Sequence, residues 1–161
     1  MTDTSRNDDY LASPYQIALL NQQSRHSVNE RQLTEAATAI LRDSEFSSAA
    51  ISLAVVDDET IHELNQRHLE HDWPTDVLSF VLEDSGAHLE GEVILSADTA
   101  ATAADELGNS AAEEQLLYVI HGTLHLIGYD DKTEADAAEM RAAEARYLHE
   151  FGVELSRRAA P

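Results

Sequence analysis

Two histidines four residues apart constrain this chain more than any other feature. His121 and His125 fall in a segment that Ser110 is placed to cap and Gly128 to end, so the sequence predicts one helix carrying both. Four helical residues turn through about 400°, which leaves the two imidazoles about 40° apart on one face. At that spacing two ring nitrogens can grip a single cation. Gly128 permits a tight or left-handed turn, and such a turn can bring Asp131 back to offer an oxygen as third ligand. Two nitrogens, one oxygen and a fourth position open to water make the coordination of catalytic zinc, which lowers the pKa of water toward about 7. Asp130 competes for the same role. It also suits a supporting one, orienting a histidine N–H, or that of a solvated turn aspartate.

Composition narrows the chemistry further. The chain has no cysteine, which removes disulfides, thiolate zinc sites, iron–sulfur clusters and cysteine nucleophiles. Any transition metal must then be held by histidine nitrogen and carboxylate oxygen. The helix is zincin-like in its histidine spacing, yet Gly122 stands where a zincin peptidase needs its glutamate base. That argues against peptide hydrolysis. A phosphodiester is the better-suited target, because a metal can neutralise charge developing on phosphate oxygen. The other histidines considered read as surface groups: His62, His68 and His71 about a helix end and loop, His88 in a hairpin connection, His149 on a helix face. Glu114 lies on the same helical face as His121 but about 10 Å down the axis, which suits a cap or core-edge role.

The 161 residues, 17.7 kDa, suit a single domain. Residues 1–14 read as a flexible acidic tail and 156–161 as a C-terminal one, leaving 15–155 as the folded unit. Strands are expected at Tyr15–Leu20, Ile51–Val56, Val77–Leu82 and, after a turn at Gly91, Glu92–Leu95, with a hairpin-type connection over Glu83–Glu90. Helices are expected from Asn29 to about Arg42, from Asp57 and Asp58 onward, over Ala97–Leu107, from Ser110 through His125, and from Thr133 to about Glu150. Residues 69–76 read as a polar loop in which Pro74 forces a turn. The fold class is α+β, a small mixed sheet packed with helices.

Ten basic residues face 31 acidic ones, a formal charge of −21, and Lys132 is the only lysine. Such a surface repels polyanions at long range, so unaided binding to bulk nucleic acid or anionic lipid is disfavoured. No apolar run approaches a membrane span and the N-terminus lacks a signal-peptide core. The expectation is a cytoplasmic protein without membrane association.

The run HGTLHLIGYDD over residues 121–131 closely resembles the signature of the YbeY family of metal-dependent endoribonucleases, H-G-x-L-H-L-x-G-Y-D-H. LNQRHLEHDWPTDVLSF, residues 64–80, resembles a second block of that family, L-N-x-x-Y-R-x-x-D-x-P-T-D-V-L-S-F, and GEVIL at 91–95 its G-D-I-x-I strand. The resemblance covers about residues 15–155. It implies a zinc-type ion, one per chain, with another divalent metal as the alternative, on His121, His125 and Asp131. It also implies single-strand-specific cleavage of RNA in small-subunit rRNA maturation and ribosome quality control, with rRNA precursor and small-subunit ribosomal proteins as partners. Asp131 replaces the family's third histidine, and Leu69 stands where the family has an arginine suited to holding phosphate. Arg67, two residues earlier, is a candidate substitute if the local backbone re-aims it, with His68 or His71 as alternative hydrogen-bond donors, and Thr75 and Asp76 match the family's loop. No side chain is assigned as catalytic, and oligomeric state is left open. The competing readings are a ribosome assembly factor with a structural metal and little catalysis, and a metal-dependent hydrolase of another class.

Overall fold

The computed structural model describes residues 13–69 and 76–155, without the side chains of His68 and Leu69. Strand β1 (Tyr15–Asn21) leads to helix α1 (Glu30–Asp43), then β2 (Ser48–Val56) and α2 (Asp58–Leu69). Strands β3 (Val77–Asp84) and β4 (His88–Ser96) follow, then α3 (Ala97–Leu107), α4 (Ala111–Leu126) and α5 (Glu134–Glu150). The sheet order is β1-β2-β4-β3, with β1, β2 and β4 parallel and edge strand β3 antiparallel to β4. This is the expected mixed sheet of an α+β domain.

Alternation decides which face is covered. Ala49, Ile51, Leu53 and Val55 of β2 are buried, while Ser48, Ala50, Ser52 and Ala54 between them are partly exposed. Helices α1 and α4 cover the apolar face, and Leu33, Ala36, Ala37, Ile40 and Leu41 form the buried stripe of α1. On the other face α2 covers only one end, where Ile61 packs with Val56, Leu78 and Ile94. Helix α4 is the hub, touching α1, α3, α5, β3 and β4. Its residues from Glu114 to Leu126 are buried except for His121 and His125. A helix apolar almost all round belongs inside a core, so two partly exposed polar rings mark a strip of α4 that the other described residues leave uncovered.

Several termini are fixed by side chains. Asn29, Ser96, Ser110 and Thr133 each accept a backbone N–H in the first turn of α1, α3, α4 and α5, and Ser110 with Glu113 closes a capping box. Helices α2 and α3 are tied together at their first turns. Asp98 Oδ2 accepts the Asp58 N–H at 3.0 Å, and Asp58 Oδ1 accepts the hydroxyls of Ser96 and Thr99 at 2.5 and 2.6 Å. The Asp58 N–H, ahead of burial, His26 and Arg25, fixes the direction for Asp98, whose carboxyl is held below the usual range.

The hairpin departs from expectation. β4 begins at His88, not Glu92, and the connection shrinks to Ser85–Ala87 around Gly86, φ 87°. Gly91 lies inside β4, opposite Val81, where a Cβ would stand 3.0 Å from Leu126 of α4. The glycine marks a close approach of helix to strand rather than a turn. Polar residues from Glu83 to Glu90 resemble a loop because one sheet face there is open to solvent. The Pro14 carbonyl accepts the Ala49 N–H at 3.0 Å, so pairing begins within the segment read as tail. Residues 1–12 and 156–161 of the expected tails, and the loop at 70–75, lie outside the described residues. Among the described residues no helix is long and apolar enough to cross a membrane.

Candidate metal centre

Both imidazoles are held through Nδ1. His121 Nδ1 donates to Glu144 Oε2 at 2.5 Å, and His125 Nδ1 donates to the Tyr129 carbonyl at 3.0 Å. A carbonyl can only accept, so His125 keeps its proton on Nδ1, and the carboxylate sets the same tautomer in His121. Both Nε2 atoms therefore present lone pairs, yet they face each other 3.0 Å apart. The rings meet edge to face, 4.6 Å between centroids. Asp131 Oδ2 completes a triangle, 3.8 Å from His121 Nε2 and 3.7 Å from His125 Nε2.

Three acceptors facing one another repel unless a positive charge lies among them. A triangle with sides of 3.0, 3.7 and 3.8 Å has a circumscribed radius of about 2.0 Å, against zinc–nitrogen and zinc–oxygen distances of about 2.0–2.2 Å. The donor set thus fits a small divalent cation in size and in chemistry. Ring protonation is the competing occupant. Burial opposes a charged His121, but the Glu144 hydrogen bond and carboxylate, with Asp76 and Asp131, outweigh it and raise the pKa. The side chains of His121, His125 and Asp131 are 24, 29 and 48% exposed, so the centre opens to solvent.

Local geometry explains the pattern HGTLH. Gly122 faces the sheet, and a Cβ there would stand 2.6 Å from Val93 Cγ1, 3.0 Å from Ser79 Oγ and 3.1 Å from Val77 Cγ2. Ser79 also donates its hydroxyl to the Gly122 carbonyl at 3.0 Å. The position that would carry a peptidase glutamate has no room for any side chain. After Leu126 the chain turns: the Tyr129 N–H donates to the Leu124 carbonyl at 3.0 Å, with Gly128 at φ 113°. That turn aims the Tyr129 carbonyl at His125 and returns Asp131.

The remaining sequence candidates fall differently. Asp130 Oδ1 accepts the Asp131 N–H at 2.7 Å, which suits a turn aspartate shaping its neighbour's backbone. The Asp76 carbonyl accepts the Ser96 N–H at 3.1 Å, and its carboxylate acts on His121 through charge. Arg67, exposed on α2, pairs with Glu63 one turn back at 2.7 Å. Thr75 and the Leu69 side chain lie outside the described residues. Glu114 is buried near the start of α4 and accepts from the Asn109 amide at 3.1 Å, consistent with a cap-region role. Sequence reasoning missed Glu144. Its signal was an acid on the buried stripe of α5, between Met140, Ala143, Tyr147 and Leu148.

A family model described as Endoribonuclease YbeY matches residues 18–152. The chain belongs to the YbeY family. It is 41% identical over 126 residues to the endoribonuclease YbeY of Rhodopirellula baltica, covering 77% of this chain and 65% of that protein. It is 43% identical over 136 residues to the endoribonuclease YbeY of Syntrophotalea carbinolica, covering 80% of this chain and 91% of that one. The solution structure of TM1509 from Thermotoga maritima superposes with a TM-score of 0.59 at 25% identity, over 90% of this chain and 97% of that one. Membership of the YbeY family agrees with the resemblance in the three sequence blocks and with the mixed-sheet fold.

Proposed function

We propose that this YbeY-family protein is an endoribonuclease whose activity depends on one divalent ion held by His121 Nε2, His125 Nε2 and Asp131 Oδ2. The observation that carries the reading is the convergence of three lone-pair donors around a point about 2.0 Å from each. Imidazole and carboxylate favour zinc, with manganese or another first-row divalent ion as the alternative. When bound, the ion supplies Lewis acidity toward a phosphodiester and its attacking water.

The chain's own residues do the positioning. Glu144 and the Tyr129 carbonyl keep the protons on Nδ1, so both Nε2 atoms remain available. Asp131 adds a negative charge where the family motif has a neutral ring, which strengthens cation capture and makes a neighbouring water less acidic. Ser79 and Gly122 hold α4 against β3 and β4, so the imidazole pair cannot slide along the sheet.

The substrate on this reading is single-stranded rRNA precursor of the small subunit, and the working location is the cytoplasm. A formal charge of −21 repels RNA at a distance, so small-subunit ribosomal proteins serve as the docking partners. A purely structural metal in an assembly factor is the weaker reading. Structural zinc is closed by four protein ligands, whereas three converge here among the described residues, with side chains partly open to solvent.

The test joins metal content to cleavage. Native mass spectrometry should show zinc on the wild-type chain and one ion fewer in His121→Ala. Cleavage of a single-stranded precursor fragment should vanish on chelation and in His125→Ala. Unchanged metal content in His121→Ala would defeat the ligand assignment, and cleavage that survives both treatments would defeat the enzymatic one.

A further inference from the structure

A second cluster of metal-binding side chains sits on the open face of the sheet, on the hairpin of β3 and β4. Ligand atoms of Glu83, His88 and Glu90 all lie within 4.8 Å of one another. His88 and Glu90 are two residues apart on β4, so their side chains share a face. His88 lies opposite Ser48 of β2, on the face where β2 presents its small partly exposed residues.

Glu83 reaches that face through a fault in the ladder. Val81 pairs with Gly91, but the next pair is Glu83 with Glu90, so Leu82 is an extra residue in β3. An unbroken ladder would place Leu82 opposite Glu90 and turn Glu83 to the other side. The bulge instead leaves Leu82 66% exposed and sets two glutamates directly opposite each other. Both outcomes are unfavourable in isolation, since like charges across an antiparallel pair destabilise it. A cation between the two carboxylates would offset the second.

His88 is oriented for such an ion. Its Nδ1 lies 2.6 Å from the Ser48 hydroxyl, and its Nε2 faces Glu90 Oε1 at 3.6 Å, beyond a good hydrogen bond. A hydroxyl can accept as well as donate, so Nδ1 can keep the ring proton and leave Nε2 as a donor atom. Both carboxylates are solvent-exposed enough to close the last ångström by rotation, Glu83 exposed and Glu90 46% exposed.

We propose that Glu83, His88 and Glu90 form a second divalent-cation site that pins edge strand β3 to β4. One imidazole beside two carboxylates favours a first-row divalent ion such as Zn2+ or, more weakly, Mn2+ over Mg2+. The ion would neutralise the two glutamates of a strongly acidic chain. It would also brace the strand whose Val77 and Ser79 lie against Gly122, beside His121.

The test is a Mn2+ titration of the full chain followed by amide NMR, where paramagnetic broadening reports each site separately. The hairpin amides around Glu83, His88 and Glu90 should broaden saturably in wild type and in His121→Ala, which removes a ligand of the other centre. Glu83→Gln and His88→Gln should each weaken hairpin binding at least tenfold while the amides around His125 broaden as before. Both substituted residues lie on the solvent face, and the unchanged response at His125 reports that the fold is intact. Hairpin amides that stay sharp at saturating Mn2+ would overturn the proposal. Equal broadening in Glu83→Gln would overturn it too, because that is diffuse attraction to an acidic surface. Retained hairpin binding in wild type with none at His125 would support this site whatever ion the other centre holds, so the two proposals fail separately.

Discussion

Gly122→Ala probes the packing that places the candidate centre. In a solvent-exposed helix the substitution stabilises by about 0.8–1.0 kcal/mol, because alanine loses less backbone entropy. Here the added methyl would begin 2.6 Å from Val93 Cγ1, with Ser79 Oγ and Val77 Cγ2 at 3.0 and 3.1 Å. Carbon atoms rest comfortably at about 3.5–4.0 Å, so the contact must open by about 1 Å. Val93 is fully buried and Val77 packs beside the same core, so neither can swing into solvent. Overpacking of this kind costs about 1–3 kcal/mol, which outweighs the propensity gain.

The expected net result is a loss of about 1 kcal/mol, read as a lower urea midpoint with an unchanged m-value. Metal affinity should fall as well. His121 and His125 ride the same helix and move together, but Glu144 on α5 does not, so a shift of α4 lengthens the 2.5 Å bond that sets the His121 tautomer. Val93→Ala in the same chain removes the colliding methyl. The double variant should therefore be more stable than the sum of the two single losses, a coupling that a double-mutant cycle measures directly. A Gly122→Ala protein that is more stable than wild type, with metal affinity intact and no coupling to Val93→Ala, would refute the reasoning.

Glu144→Gln should lower metal affinity by about 10–100-fold, the usual effect of losing the acceptor behind a ligating imidazole, measured by competition with a chelator. Asp131→Ala should hold one ion fewer than wild type, whereas Asp131→His, which matches the family motif, should keep the wild-type count by native mass spectrometry. Tyr147 gives a pH signature. Burial, then its hydrogen bond to Asp43 and that carboxylate's charge, push the phenol from 10.0 up to about 12. Its folded pKa is raised, so its contribution is fully present below pH 10 and is lost as pH rises through about 12. Urea unfolding should show that loss, at most about 3 kcal/mol, and Tyr147→Phe should remove it. Asp98 has the opposite sign. Its depressed carboxyl stabilises above the unfolded value and loses that contribution as pH falls, so Asp98→Asn should flatten the acid side of the stability curve.

What could be read from the sequence was what is local. Asn29, Ser110 and Thr133 announce helices because a cap and its N–H partner lie within one turn. The imidazole pair was legible for the same reason, since four helical residues fix both rings on one face. Asp131 was reachable because Gly128 closes a short turn on the same element. Glu144 was not, because its partner is 23 residues away and depends on how α5 docks on α4. Gly91 was misread as a turn because its reason for being glycine is Leu126, on another element. The strand from His88 to Glu90 hid behind its polarity, because a sheet covered fully on only one face needs polar residues on the other.

Charge sets a final, sharply signed expectation. Proteins that hold nucleic acid through lysine and arginine release counterions on binding, so their affinity falls steeply as salt rises. This chain carries −21, and four of its six described arginines, Arg25, Arg31, Arg67 and Arg146, are paired with carboxylates. Its long-range field therefore opposes RNA rather than drawing it in. Salt shortens that field from about 8 Å at 0.15 M to about 3 Å at 1 M, leaving contacts made inside the centre largely untouched. Cleavage of a short single-stranded RNA by the isolated protein, at saturating metal, should thus become more efficient as KCl rises over this range, chiefly through a lower KM. Saturating metal is essential, because the same screening weakens capture of the ion. A KM that climbs with salt, as for a cationic RNA-binding protein, would show that a basic track rather than a docking partner brings the substrate in.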